Sequence, residues 1–241
     1  MDSIVRGGTI TWLGHAAFRV DTPGGKVVLL DPWLSNPKMP PGAREALTRV
    51  DAILPTHAHG DHLGDTVALA KRFKAEVPSI GELAHYLRAQ GVETAKPMNK
   101  GGTITVAGDL KVTMVSADHT SGLVDPSTGP LPIYLGEAAG FVLELENGFR
   151  LYHAGDTNVF GDLKLIGELY APDIALLPIG GNYTMGPREA AKAAHLLGVK
   201  RVLPMHYGTS PALTGTPEQL RAELSGSDIE IYVLPPGGSL T

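Results

Sequence analysis

The chain has 241 residues, 43% of them hydrophobic, with 20 Lys and Arg against 25 Asp and Glu for a formal net charge of −5. That length buries a core without disulfide or metal staples, and no block of Lys or Arg offers a nucleic-acid backbone a partner. With no cysteine in the sequence, Cys nucleophiles, Cys-ligated zinc and iron–sulfur clusters are excluded, so any metal must be held by nitrogen and oxygen. The opening residues show no basic segment followed by an apolar stretch, and no apolar run approaches the ~18 residues of a membrane span. A soluble, cytoplasmic protein with no membrane insertion is expected.

Ile10 to Val20 and Lys26 to Leu30 alternate apolar and polar residues, and Thr22-Pro23-Gly24-Gly25 between them has turn composition, which predicts an antiparallel meander. Gly14-His15 interrupts its first strand, and Asp31 tips its last. A Pro-rich loop from Asn36 to Gly42, long enough for a lid, and a short helical stretch precede the strand that begins at Asp51. Asp65 to Lys74 reads as an amphipathic helix, and Glu82 to Gln90 as a second helix closed by Gly91. Hairpins follow over Thr103 to Val115 and, around Glu146-Asn147-Gly148, over Phe141 to His153. Between them, the Gly- and Pro-rich segment from Ser121 to Gly140 carries no clear element and is placed on the surface near the site. Helices at Leu163 to Tyr170, Pro187 to Leu197 and Pro217 to Leu224 alternate with strands at Asp173 to Pro178, Arg201 to Met205 and Ile229 to Leu234. Hairpins followed by βα units in each half suggest two packed sheets with helices outside.

The stretch Thr56-His57-Ala58-His59-Gly60-Asp61-His62 directly follows a strand. Side-chain direction alternates with period two, so His57 and His59 fall on one side, with Asp61 and His62 aimed from another angle. Imidazole nitrogen and carboxylate oxygen are ligands for first-row metals, and four such groups pack together at low cost only around a cation. Three further strand ends stop on His119, Asp156 and His206. The seven residues His57, His59, Asp61, His62, His119, Asp156 and His206 suffice for two ions: His57, His59 and His119 for one, Asp61, His62 and His206 for the other, with Asp156 as the bridge. Two divalent ions roughly 3.5–4 Å apart would share a water and bring its pKa toward neutrality, so that a bridging hydroxide is the expected nucleophile and Asp61 the group that relays its proton. Zinc is the first candidate, with manganese, iron or nickel suited by the same donors.

Other polar residues carry two readings each. His15 is either substrate-facing or a buried histidine satisfied by backbone. Asn182 and Tyr183, in a Gly-rich loop after a strand, are expected to touch substrate or simply to shape the loop. Asp31 and Asp65 are candidates to receive the second N–H of a ligating histidine, with capping or turn roles as the alternative. His153 either orients a ligand or packs in its strand, and His85 and His195 read as structural.

With the fused His-x-His-x-Asp-His pattern, later His119, Asp156 in Ala-Gly-Asp-Thr, and His206, the sequence resembles the metallo-β-lactamase superfamily. Trp12-Leu13-Gly14-His15, Leu30-Asp31-Pro32-Trp33 and Leu177-Pro178-Ile179-Gly180-Gly181 are similar to the small prokaryotic metal-dependent hydrolases related to ascorbate-6-phosphate lactonases and N-acylphosphatidylethanolamine phospholipases D. The resemblance implies one domain over residues 1–241 with the α/β, four-layer αββα sandwich fold and a dinuclear site at one edge. It implies a hydrolase of a small-molecule ester, lactone or phosphodiester. The same cluster also serves mononuclear iron persulfide dioxygenases, glyoxalase II-type thioester hydrolases and, in another class, a non-catalytic metal-binding protein. Loops rich in Pro, Leu and Tyr offer a surface for a homo-oligomer.

Overall fold

The computed structural model describes residues 3–125 and 129–241, so Pro126, Ser127 and Thr128 of the loop before Gly140 lie outside the described residues. Strands β1 (Thr9–Trp12), β2 (Phe18–Asp21) and β3 (Val27–Leu30) form the antiparallel meander, and β4 (Ala52–Leu54) joins β3 in parallel. A one-turn helix α1 (Gly60–Leu63), then α2 (Thr66–Phe73), β5 (Val77–Ile80), α3 (Gly81–Ala89) and β6 (Ala95–Met98) follow. The second half comprises β7 (Thr103–Val106), β8 (Leu110–Ser116), β9 (Gly122–Leu123), β10 (Ile133–Tyr134), β11 (Ala139–Glu144) and β12 (Arg150–His153). It continues through α4 (Leu163–Tyr170), β13 (Ile174–Pro178), α5 (Pro187–Leu197), β14 (Arg201–Met205), α6 (Pro217–Glu223), β15 (Glu230–Ile231) and β16 (Ser239–Leu240).

Two sheets result, one in the order β16-β1-β2-β3-β4 and one in the order β15-β14-β13-β12-β11-β8-β7. Helix α2 packs on β4 and α5 on β13, with α4 and α6 against α5, so helices lie outside both sheets in the αββα arrangement. Strands β3 and β13 are buried along their whole length, as parallel pairing between two covered faces requires. The sheets are tied together near the site: the Phe18 and His153 rings meet edge to face at 5.8 Å, and His153 Nε2–H donates to the Ala16 carbonyl at 3.0 Å. Among the described residues no helix is long and apolar enough to cross a membrane.

The structure departs from the sequence reading at four places. The stretch after the Pro-rich loop is a chain of turns, in which Ala46 N–H reaches the Gly42 carbonyl at 3.0 Å and Leu47 N–H the Arg44 carbonyl at 3.3 Å without propagating a helix. Strands β5 and β6 pair in parallel where no strand was expected; each contains a proline, Pro78 and Pro97, which removes a ladder donor and disguises the pattern. The loop after His119 contains the small antiparallel pair β9–β10. The last strand shrinks to β15, and the chain end returns as β16 beside β1, with Leu240 opposite Ile10.

Candidate metal centre

Four strand ends converge at one edge of the sandwich: β4 of the first sheet leads into His57, and β8, β12 and β14 of the second lead into His119, Asp156 and His206. The loop after β4 turns at once into α1, which swings Asp61 and His62 back toward His57. Two sets of side chains form there: His57, His59, His119 and Asp156, and His15, Asp61, His62 and His206. Within each set the nitrogen and oxygen donor atoms all lie within 4.8 Å of one another. Asp156 stands between the sets, its Oδ2 lying 3.2 Å from His62 Nε2, 3.1 Å from His206 Nε2 and 3.6 Å from His119 Nε2. His57 Nε2 and His59 Nδ1 are 2.9 Å apart.

Ring orientation is fixed from behind by Asp31. Its Oδ1 accepts the Thr56 N–H at 2.7 Å, and its Oδ2 accepts both the Thr56 hydroxyl at 2.8 Å and His62 Nδ1–H at 2.7 Å. Since the Thr56 hydroxyl spends its proton on Asp31, its oxygen is left to accept His57 Nδ1–H at 3.0 Å. One carboxylate thereby orients two histidine rings and turns both Nε2 edges toward the centre. Gly155 is what allows Asp156 to approach: at φ +63° a Cβ there would sit 2.8 Å from the Ala139 carbonyl oxygen and 2.8 Å from Thr56 Cβ.

The electrostatics reflect crowding. Burial holds His57 well below an ordinary imidazole, and burial likewise lowers His59 and His119. Burial also works against a charged His62, but the Asp156 and Asp31 carboxylates outweigh it and hold that ring well above its ordinary value. For Asp156, burial is outweighed by His62 and His206, and for Asp61 by the His15 hydrogen bond and His62, so both carboxyls stay below their usual range. His62 Nε2, Asp156 Oδ1 and both ring nitrogens of His206 are nonetheless buried without a hydrogen-bond partner. Such orphaned donor atoms cost free energy unless something else satisfies them, and an imidazole and carboxylate set with no sulfur fits a divalent cation.

The five remaining predicted site residues each take a different place. His15 is 3% exposed and does not line the cavity described below: its Nε2–H donates to Asp61 Oδ2 at 3.0 Å, and its Nδ1 accepts from the Thr209 hydroxyl at 2.7 Å. Its neighbours Trp33, His62 and His206 close over the ring, which is why it cannot reach the cavity. Asp65 meets no histidine either; its carboxylate accepts the Leu34 N–H at 2.9 Å and binds Arg44, satisfying the turn before α2 instead. His153 acts one step removed, its Nδ1 accepting the Gly155 N–H at 3.1 Å next to Asp156. Tyr183, 63% exposed, lines a cavity of about 310 Å³ together with His59, Asp61, His119, Asp156 and His206. Asn182 is exposed and does not line it. Sequence reasoning missed Thr56 and Thr209: the first directly precedes the histidine cluster and was readable from that adjacency, whereas nothing marks the second. His15, Asp31 and His206 all hold left-handed backbone, at φ +53°, +42° and +56°, which non-glycine residues adopt only where surrounding contacts enforce it.

Comparison with known proteins is consistent across the chain. Residues 26–207 match the family model described as the beta-lactamase superfamily domain. A metal-dependent hydrolase of Rubrobacter xylanophilus is 51% identical over 239 residues, covering 97% of each chain. One of Solibacter usitatus is 49% identical over 229 residues, covering 95% of this chain and 97% of its own. Among solved structures, a metallo hydrolase from the hyperthermophilic archaeon Ignicoccus hospitalis superposes with a TM-score of 0.85 at 34% identity, covering 96% of this chain and 97% of that one.

Proposed function

As the chain belongs to the metallo-β-lactamase superfamily, we propose that it is a hydrolase using two divalent metal ions to cleave an ester, lactone or phosphodiester. The single observation that carries this is the pair of donor sets meeting at Asp156. His57, His59 and His119 would hold one ion, Asp61, His62 and His206 the other, and Asp156 would touch both. Ions bound there supply a nucleophilic water at neutral pH and Lewis-acid polarisation of the oxygen in the bond to be broken. Zinc fits this donor set, as do manganese, iron and nickel.

The chain's own residues do the rest. Asp31 and Thr56 keep the Nε2 edges of His57 and His62 facing the centre, so ligation would need no ring rotation, only loss of the proton that His62 holds without a cation. Asp61 is the one carboxylate of the centre with a substantially exposed side chain, at 37%. Lining the cavity, it would pass the proton of the attacking water toward the leaving oxygen. Tyr183, exposed and lining the cavity, would contact the substrate.

The test is metal content per chain by inductively coupled plasma mass spectrometry, alongside turnover of a panel of esters, lactones and phosphodiesters. Two divalent ions per chain and hydrolysis that chelator removes and metal restores are expected. A single iron with no hydrolysis of the panel sinks the reading.

A further inference from the structure

A second cavity of about 550 Å³ adjoins the first, the two sharing His59, His119 and Thr120 in their linings. The rest of its lining comes from the segment that leaves His119 directly and folds as the β9–β10 arm, with Val124, Pro132, Tyr134 and Gly136 as its walls. This arm presents large apolar side chains to solvent, Val124 at 68% and Tyr134 at 65% exposure. The polar groups nearby are largely engaged. Ser121 Oγ accepts the Ala58 N–H at 3.2 Å, and the Glu137 carboxylate at the rim is held by Lys100 Nζ at 2.7 Å. Among the described lining residues none is Lys or Arg, and the one carboxylate, Glu137, is already paired with Lys100, so the lining offers a substrate anion no cation of its own.

A space of this size, adjoining the reacting centre, with apolar side chains from the arm along one side and no Lys or Arg in its lining, binds by burying hydrocarbon. Resting on the hydrolase reading above, we propose that this cavity is the subsite for an uncharged apolar acyl, alkyl or aryl group of the substrate beside the bond that is cleaved. A compact sugar phosphate or any substrate with an anionic group at this end is disfavoured. The exposed apolar residues of the arm are covered by the substrate itself, and chain length is selected here and not at the metal centre.

Two series separate this proposal from the reading beneath it. Zinc-loaded protein is assayed on p-nitrophenyl esters from acetyl to octanoyl, and alkyl hydroxamates from two to eight carbons are titrated into it calorimetrically, which reads binding without turnover. Both series are repeated for Val124→Glu, a substitution at an exposed position, with the thermal midpoint as the control for folding. Up to roughly fourfold gain per buried methylene is expected in kcat/KM and in affinity along each series, and Val124→Glu should flatten both gradients. Efficient hydrolysis with no dependence on chain length overturns the subsite and leaves the hydrolase reading standing, as does a gradient that Val124→Glu does not change. Length-dependent hydroxamate binding, flattened in the variant, with no turnover of any ester, keeps the subsite and overturns ester cleavage.

Discussion

Asp31 Oδ2 accepts His62 Nδ1–H at 2.7 Å, with both side chains fully buried, and the opposite ring nitrogen of His62 faces Asp156 Oδ2 at 3.2 Å. The imidazole is thus gripped on one edge so that its other edge is committed to the centre. Asp31→Asn keeps the volume and tolerates the left-handed backbone, but replaces a carboxylate oxygen by an amide and cannot serve all three donors. Metal affinity should fall about 10–100-fold. Asp31→Ala strands His62 and Thr56 as well and should cost about 3–5 kcal/mol of stability. Zinc competition with a chromophoric chelator and urea denaturation measure the two effects; unchanged affinity in both variants would show that Asp31 serves the fold alone.

Chelator-treated protein should have a stability maximum near pH 6.5, the value of an unfolded imidazole, about 6.5. Burial holds His15 down to about 4 and lowers His57, His59, His119 and His153, whereas the carboxylates around His62 raise it against burial. As pH drops below the maximum, the unfolded chain takes up protons that the lowered histidines refuse, and stability falls. His15, moved to about 4, alone contributes on the order of 3 kcal/mol across that window. As pH rises above the maximum, the unfolded chain releases the proton that folded His62 keeps, and stability falls again until the folded value is passed. The depressed Asp61 and Asp156 carboxyls add a loss only below the unfolded carboxylate value of about 3.9. Thermal midpoints from pH 4.5 to 9 report this directly, and a profile that climbs steadily through pH 8 contradicts it.

Gly155→Ala should damage both the fold and the centre. The substitution meets a left-handed backbone and two contacts of 2.8 Å, one of them to the main-chain oxygen of Ala139, which cannot rotate away. Relief requires the Ala154 to Thr157 turn to move, taking Asp156 with it. A loss of about 1–3 kcal/mol and fewer bound ions per chain are expected. Full metal content at wild-type stability would mean the turn shifts without moving Asp156.

How much of this the sequence carried depends on how local each signal is. His57, His59, Asp61 and His62 were readable as candidate ligands because three histidines and an aspartate share one strand-end loop, and His119, Asp156 and His206 because each follows a strand with clear apolar patterning. Asp31 was readable as a carboxylate at a strand tip. Asp65 was not, since the Leu34 N–H and Arg44 that claim it are remote in sequence and silent in composition. The β9–β10 arm escaped notice because two-residue strands carry no periodicity, and a cavity wall is a matter of shape. His15 read two ways because its burial is a property of the packed rings of Trp33 and His206 and not of its own neighbours in the chain.

That packing makes His15 the group that positions Asp61, and its removal should affect one ion and spare the other. His15 Nε2–H holds Asp61 Oδ2, while its own Nδ1 is anchored by Thr209, and neither atom touches the set formed by His57, His59, His119 and Asp156. His15→Asn retains a residue that accepts left-handed backbone but shortens the reach to Asp61, whose carboxylate is then free to turn into solvent. Calorimetric titration of chelator-treated protein with zinc should resolve two binding events in the wild type. In the variant the ion at Asp61, His62 and His206 should bind about 10–100-fold more weakly, with the other ion unchanged. Weakening of both ions to the same degree would assign His15 to the general scaffold through its contact with His206, and no weakening of either would mean that Asp61 keeps its place without it.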